Sequence, residues 1–164
     1  VFPLEDDYSF GILSSRVHWV WFNARCSTLK GDPRYTSDTV FDSFPWPQKP
    51  TEKQIAAIAK YAVELRQKRK EIMVKNKFCL RDVYKTMETT PNNPVSEIQV
   101  KLDNAVREAY GISPEDDILE FILKLNKKCH DREVAGKEIT PPGLPKSVKD
   151  QQKYISQDCV KMEE

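Results

Sequence analysis

A mainly α fold, with a helical bundle running from about residue 49, is what this 164-residue sequence predicts. Three observations carry that expectation. Apolar residues recur at helical rather than alternating spacing in the long segments 8–29, 51–74, 98–109 and 118–125. Helix-end signals bracket several of these segments: a Thr-Glu-Lys-Gln capping box at Thr51, Gly111 after one helix and Pro114 at the start of another. β-formers gather in one short run, Thr39, Val40, Phe41 and Phe44, sufficient for one strand.

Taken in order, Phe10, Leu13, Val17, Val20 or Trp21, and Ala24 predict one helix from Tyr8 to about Leu29, with Ser9 as a cap. Gly31, Asp32 and Pro33 break it, because proline lacks an amide hydrogen and glycine tolerates positive φ. A loop through Arg34 and Tyr35 follows, then the short strand, ended by the stiff Pro45-Trp46-Pro47 connector. From Thr51 a helix is expected to about Val74, with Ile55, Ile58, Ala62, Leu65 and Ile72 on one face and Lys53 and Lys60 opposite. Lys53, Lys60, Arg66 and Lys70 read as a solvated face. Arg69 projects inside the apolar stripe, which favours a structural ion pair. Leu80, Val83, Tyr84 and Met87 predict a shorter amphipathic element, and 89–94 a loop. Ile98, Leu102, Ala105 and Ala109 define a helix ended by Gly111; Ser113 caps the next, whose face is Ile118, Leu119, Phe121, Ile122 and Leu125, and the two are expected to pack as a hairpin. Gly136, Pro141, Pro142, Gly143 and Pro145 leave little regular structure after Asp131, and 146–164 reads as a loose tail. Trp19 and Trp21 are expected in the core.

With 39% hydrophobic and 31% charged residues, the chain is neither disordered nor a membrane protein in composition. Its most apolar stretch, between Arg16 and Arg25, is eight residues long, against roughly 20 for a membrane-spanning helix. No membrane partner is expected. The chain begins with Val and shows no secretory signal, so it is expected to start inside a longer, cytoplasmic protein. Cys26, Cys79, Cys129 and Cys159 are scattered, with only His18 and His130 as companions, which favours reduced thiols over a zinc site. The net charge of +1 hides a gradient: residues 1–50 sum to −1, residues 51–87 to +6 and residues 88–164 to −4. A basic segment between acidic ones points to an anionic partner, or to a solvated charged helix.

Chemistry-bearing motifs are missing. The five glycines form no phosphate-binding or dinucleotide loop. Asn92-Asn93-Pro94-Val95 lacks the second proline and the aromatic of an adenine-gripping motif. Glu133 to Lys137 has no strand context for a metal-dependent nuclease, and neither histidine stands by a nucleophile. No catalytic residue, metal or cofactor is expected in these residues.

The stretches Phe10-Gly-Ile-Leu-Ser-Ser-Arg16, His18, Trp21 and Cys26, Leu29-Lys-Gly-Asp-Pro-Arg-Tyr35 and Phe44-Pro-Trp-Pro47 resemble the end of the target-recognition domain of MmeI-like type IIL restriction and modification enzymes. Leu80-Arg-Asp-Val-Tyr84 and Leu102-Asp-Asn-Ala-Val-Arg-Glu-Ala-Tyr-Gly111 resemble the helical C-terminal domain of that family. The resemblance implies a helical bundle C-terminal to a partial α/β target-recognition domain: 1–48 closes the recognition domain, 49–145 is the helical domain and 146–164 the tail. It further implies a parent chain that is an adenine-specific DNA methyltransferase using S-adenosylmethionine, some members carrying a nuclease as well. The catalytic domain would lie upstream, leaving this portion catalytically silent.

The resemblance places the DNA-reading loop at Lys30 to Tyr35. Lys30 and Asp32 are two residues apart, so in an extended stretch both point to one side. Together they suit a G·C pair, Lys donating to G O6 and N7 and Asp accepting from C N4, at roughly 1 to 3 kcal/mol per good contact. Arg34 extends the alternation and suits a purine or a phosphate; the Tyr35 hydroxyl suits a phosphate, and half-buried packing equally. The expected partners are double-stranded DNA and the upstream methyltransferase domain of the same chain. The rival reading is a helical protein-interaction module that never touches DNA.

Overall fold

The computed structural model describes residues 4–29 and 32–159. It is mainly α, as the spacing predicts. The elements are α1 (Asp7–Leu13), α2 (Arg16–Arg25), β1 (Ser27–Leu29), β2 (Asp32–Arg34), a π-helical turn (Ser37–Phe41), α3 (Glu52–Asn76), α4 (Leu80–Thr89), α5 (Pro94–Tyr110), α6 (Ile118–Val134) and a 3-10 turn (Gln152–Tyr154).

The helix expected over 8–29 is two helices. Ser15 breaks it: its hydroxyl donates to the Ile12 carbonyl at 2.7 Å and accepts from the His18 amide at 3.4 Å, ending one helix and capping the next. Asp6, not Ser9, caps α1, accepting from the Ser9 amide at 2.7 Å. The break lets α1 lie across α3 while α2 packs on α6 and α5. Close approach of α1 to α3 depends on Gly11, where a Cβ would stand 2.6 Å from Ile58 Cγ2.

The loop expected at 30–35 is in part a β-hairpin. β1 and β2 pair antiparallel with Ser27 opposite Arg34 and Leu29 opposite Asp32. The strand expected around Thr39 to Phe44 is instead the π turn, in which the Asp42 amide donates to the Ser37 carbonyl at 2.8 Å. Tertiary anchoring overrides β-propensity there: Val40 is buried and its carbonyl accepts from Trp21 Nε1 at 2.9 Å.

α3 starts with the expected capping box, the Gln54 amide donating to Thr51 Oγ1 at 3.3 Å and the Thr51 amide to Gln54 Oε1 at 2.9 Å. Its buried face is Ile55, Ile58, Ala59, Ala62, Leu65 and Arg69, packed on α5 and α1. Arg69 makes no ion pair among the described residues; it donates to Gln99 Oε1 at 3.4 Å and lies 5.1 Å from the Tyr84 ring centre. Arg66 is not solvated but pairs with Asp7. Leu65 is fully buried, so Leu65→Ala should lower stability by about 2 to 5 kcal/mol. Urea denaturation checks this, and an unchanged midpoint would contradict the packing.

Asn93 caps α5 through the Val95 amide, with Pro94 at the first position, and Gly111 closes it at φ 74°. Ser113 does not cap α6. Its amide donates to Asp116 Oδ2 at 2.7 Å, closing a separate turn, and Asp117 takes the cap by accepting from Glu120 at 2.8 Å. α6 packs on α2 rather than forming a hairpin with α5, whose buried face of Leu102, Ala105, Val106 and Ala109 is already turned to α3 and α1. Trp21 is buried as expected, but Trp19 is 55% exposed. Beyond α6 the backbone is largely irregular through residue 159, yet it is anchored: Val148 and Tyr154 join the core, and Ser156 donates to Asp7. One hydrophobic cluster spans both sides of position 48, from Tyr8 and Trp46 to Leu102 and Ile122. Among the described residues, no helix is long and apolar enough to cross a membrane.

Candidate nucleic-acid interface

The hairpin is carried by α2, whose residues His18 and Phe22 are one turn apart and so share a face. Tyr35, directly after β2, lies on that face. Its hydroxyl is hydrogen-bonded to His18 Nε2 at 3.1 Å, and its ring stacks on Phe22 with centroids 5.6 Å apart and planes 18° from parallel. Phe44 meets the His18 ring edge-on at 4.6 Å, and itself packs on Trp21, Trp46 and Tyr110. A run of aromatic contacts therefore ties the strand exit to the core, and the Tyr110 hydroxyl fixes the Pro45 carbonyl at 2.9 Å.

Burial of His18 pushes its pKa down to about 4, so the imidazole is neutral near pH 7. Burial, assisted by the Asp42 charge, pushes the Tyr35 phenol up to about 12, so it keeps its proton. The His18 shift is a stability statement. Because its folded pKa lies below the unfolded value near 6.5, its favourable contribution is complete above that value. It declines as pH falls toward about 4, by about 3 kcal/mol over the window. His18→Asn should flatten this part of the pH profile of the urea midpoint. Comparison with the parent chain cancels Asp6 and Asp103, whose burial raises their pKa values and acts with the opposite sign. Parallel profiles for variant and parent would contradict a buried neutral imidazole.

Asp32 and Arg34 are exposed on β2 and, two residues apart, share one side of the strand. Lys30 lies outside the described residues, as therefore does its expected alignment with Asp32. Tyr35 is placed against α2 with its hydroxyl engaged by His18. Periodicity alone did not reveal the role of His18 and Phe22 as supports; their spacing of four on α2 was the available signal. Among the described residues, no group of three or more His, Cys, Asp or Glu side chains could hold a metal ion.

Residues 1–48 match the family model described as MmeI, target recognition domain. The chain is 30% identical over 131 residues to DNA methyltransferase A of Bacillus subtilis (strain 168), covering 76% of this chain and 14% of that protein. In fold it is similar to the type IIL restriction-modification enzyme MmeI solved in complex with DNA, with a TM-score of 0.67 and 27% identity over 77% of this chain and 16% of that one. The chain thus spans about a seventh of the length of the proteins it matches. Sequence and structure together relate it to the MmeI-like restriction-modification enzymes, through the target recognition domain that its first 48 residues match.

Proposed function

We propose that this chain supplies the closing part of a DNA target-recognition domain (1–48), a helical domain that braces it (49–145) and a tail (146–164) to a site-specific adenine methyltransferase. The parent uses S-adenosylmethionine, works in the cytoplasm and holds its catalytic domain elsewhere in the same polypeptide. The observation that carries this reading is an exposed two-stranded hairpin, fixed to a rigid aromatic stack and lying within the stretch similar to the recognition domain. A two-stranded ribbon fits the major groove of B-DNA, where each base pair presents a distinct donor and acceptor pattern. Lys30 and Asp32 read a base pair, Arg34 a purine or a phosphate, and Tyr35 sets the exit of the hairpin. A purely protein-binding helical module would leave these exposed charges without a use.

S-adenosylmethionine does not fit the residues described. Gly11 stands inside α1, while Gly111, Gly136 and Gly143 occupy positive-φ turns away from any strand-to-helix junction. These residues recognise; methyl transfer takes place on the upstream domain. The test is methylation of a panel of duplexes differing at single base pairs by the methyltransferase chain carrying this segment. Asp32→Ala should relax discrimination at one position by about 1 to 3 kcal/mol. Undiminished discrimination at every position would refute base reading by the hairpin.

A further inference from the structure

The basic middle of the chain is not used by the hairpin. In the structure its cations divide by position. Arg66 and Arg69 turn inward, and Lys60 and Lys68 pair with Glu64 and Glu71 on their own helix. Lys70, Lys75, Lys77, Arg81 and Lys85 stay exposed on the end of α3 and along α4. None of the five is in ion-pair contact with a carboxylate among the described residues. Of the two carboxylates on α4, Asp82 is turned to its helix end, accepting from the Cys79 amide at 2.9 Å, and Glu88 follows Lys85 by three residues without an ion-pair contact to it.

α4 is also incompletely covered: Val83 is buried, but Leu80 and Tyr84 are 45% and 42% exposed. Tyr84 lines a cleft of about 430 Å³ whose other walls include Ser14, Ser15, His18, Trp19, Phe22 and Tyr35. The residue that follows the hairpin and α4 therefore face each other across one depression. Arg81 and Lys85 flank Tyr84 on α4, one turn before it and directly after it, and the exposed Trp19 ring offers an apolar surface between the two sides.

We infer that the α3–α4 corner, through Lys77, Arg81 and Lys85, grips the phosphate backbone of the duplex whose bases the hairpin reads. The contact is independent of sequence. It rests on the base-reading proposal above, and it assigns to the helical domain a share of the affinity while the hairpin keeps the specificity.

The experiment measures binding of the 164-residue chain to a mixed-sequence duplex between about 50 and 200 mM salt. Changing Lys77, Arg81 and Lys85 together to Gln should lower the slope of log K against log salt by about 2 to 3. Affinity near 0.1 M salt should fall on the order of 100-fold, the loss expected from three phosphate contacts. Changing all three cations to either Arg or Lys should keep the slope. Changing Lys124, Lys127 and Lys128 on α6 to Gln removes the same charge elsewhere and should change the slope by less than one. Equal losses in the two Gln triples, an unchanged slope in the α4 triple, or absence of duplex binding at about 50 mM salt would overturn the inference. So would a loss of binding to poly-glutamate with DNA binding intact, the mark of a protein-docking surface. Failure of base reading shows differently: Asp32→Ala would leave discrimination by the parent methyltransferase intact, whatever the salt slope does.

Discussion

Replacing Asp7 by Asn should lower stability by about 3 kcal/mol, because it leaves the largely enclosed Arg66 charge, 16% exposed, without a counter-charge. The Asp7 side chain is 4% exposed and accepts from four donors. Arg66 reaches Oδ1 from α3, the Ser156 amide reaches Oδ2 at 3.1 Å, and the Ser156 hydroxyl and Cys159 Sγ reach Oδ1 at 3.0 and 3.3 Å. Arg66 also donates to Ser156 Oγ at 2.8 Å and lies 4.7 Å from the Phe10 ring centre. Asn keeps the shape but turns an acceptor into a donor facing donors, so both charge and hydrogen bonding fail at once. Three distant stretches, α1, α3 and the tail, meet at this carboxylate. Urea denaturation should show the loss, and proteolysis should cut the variant after Val148 faster than the parent chain. Adding Arg66→Met should restore part of the stability, because the orphaned charge goes with it. A loss under about 1 kcal/mol would mean that the pair behaves as a surface ion pair.

What was legible in the sequence was whatever local chemistry settles. Thr51 with Gln54, and Gly111 at a positive φ, each satisfy helix-end groups within a few residues, and each element begins or ends where those residues put it; the Asn93-Pro94 start of α5, read as loop, follows the same local chemistry and was passed over. Where the deciding partner is distant, the reading failed. Ser15 is tolerable in a helix until its hydroxyl takes the Ile12 carbonyl. Val40 and Phe41 favour a strand until Trp21 claims the Val40 carbonyl. Arg66 looks solvated until the tail brings Ser156 beside Asp7. Strands of three residues are too short for alternation to reveal, so the hairpin under Asp32 and Arg34 was invisible to periodicity. Trp19 and Trp21 project to different sides of α2, and the pattern does not say which side the rest of the fold would leave open.

On the base-reading proposal, exchanging two charges, Lys30→Glu with Asp32→Arg, should reverse the orientation of the preferred base pair in the methyltransferase proposed as the parent. In that proposal Lys30 would donate to G O6 and N7 while Asp32 would accept from C N4; after exchange, Glu would accept from C N4 and Arg would donate to G on the opposite strand. Each contact discriminates by about 1 to 3 kcal/mol, so the pair of changes should move preference by several kcal/mol. Asp32 is exposed at the start of β2, at the end of the hairpin away from α2, so the exchange disturbs no buried group on that strand. Single changes should mostly abolish activity, since the altered side chain then faces a base edge of the wrong type. Arg34 separates reading from gripping. It shares the side of β2 on which Asp32 stands, and Arg34→Ala should lower the salt slope by about one with sequence preference kept if it holds a phosphate, or relax one position if it reads a purine. Methylation of duplexes varied one base pair at a time measures all of these. A double variant that keeps the original preference at every position would show that the hairpin positions the backbone and that the bases are read elsewhere.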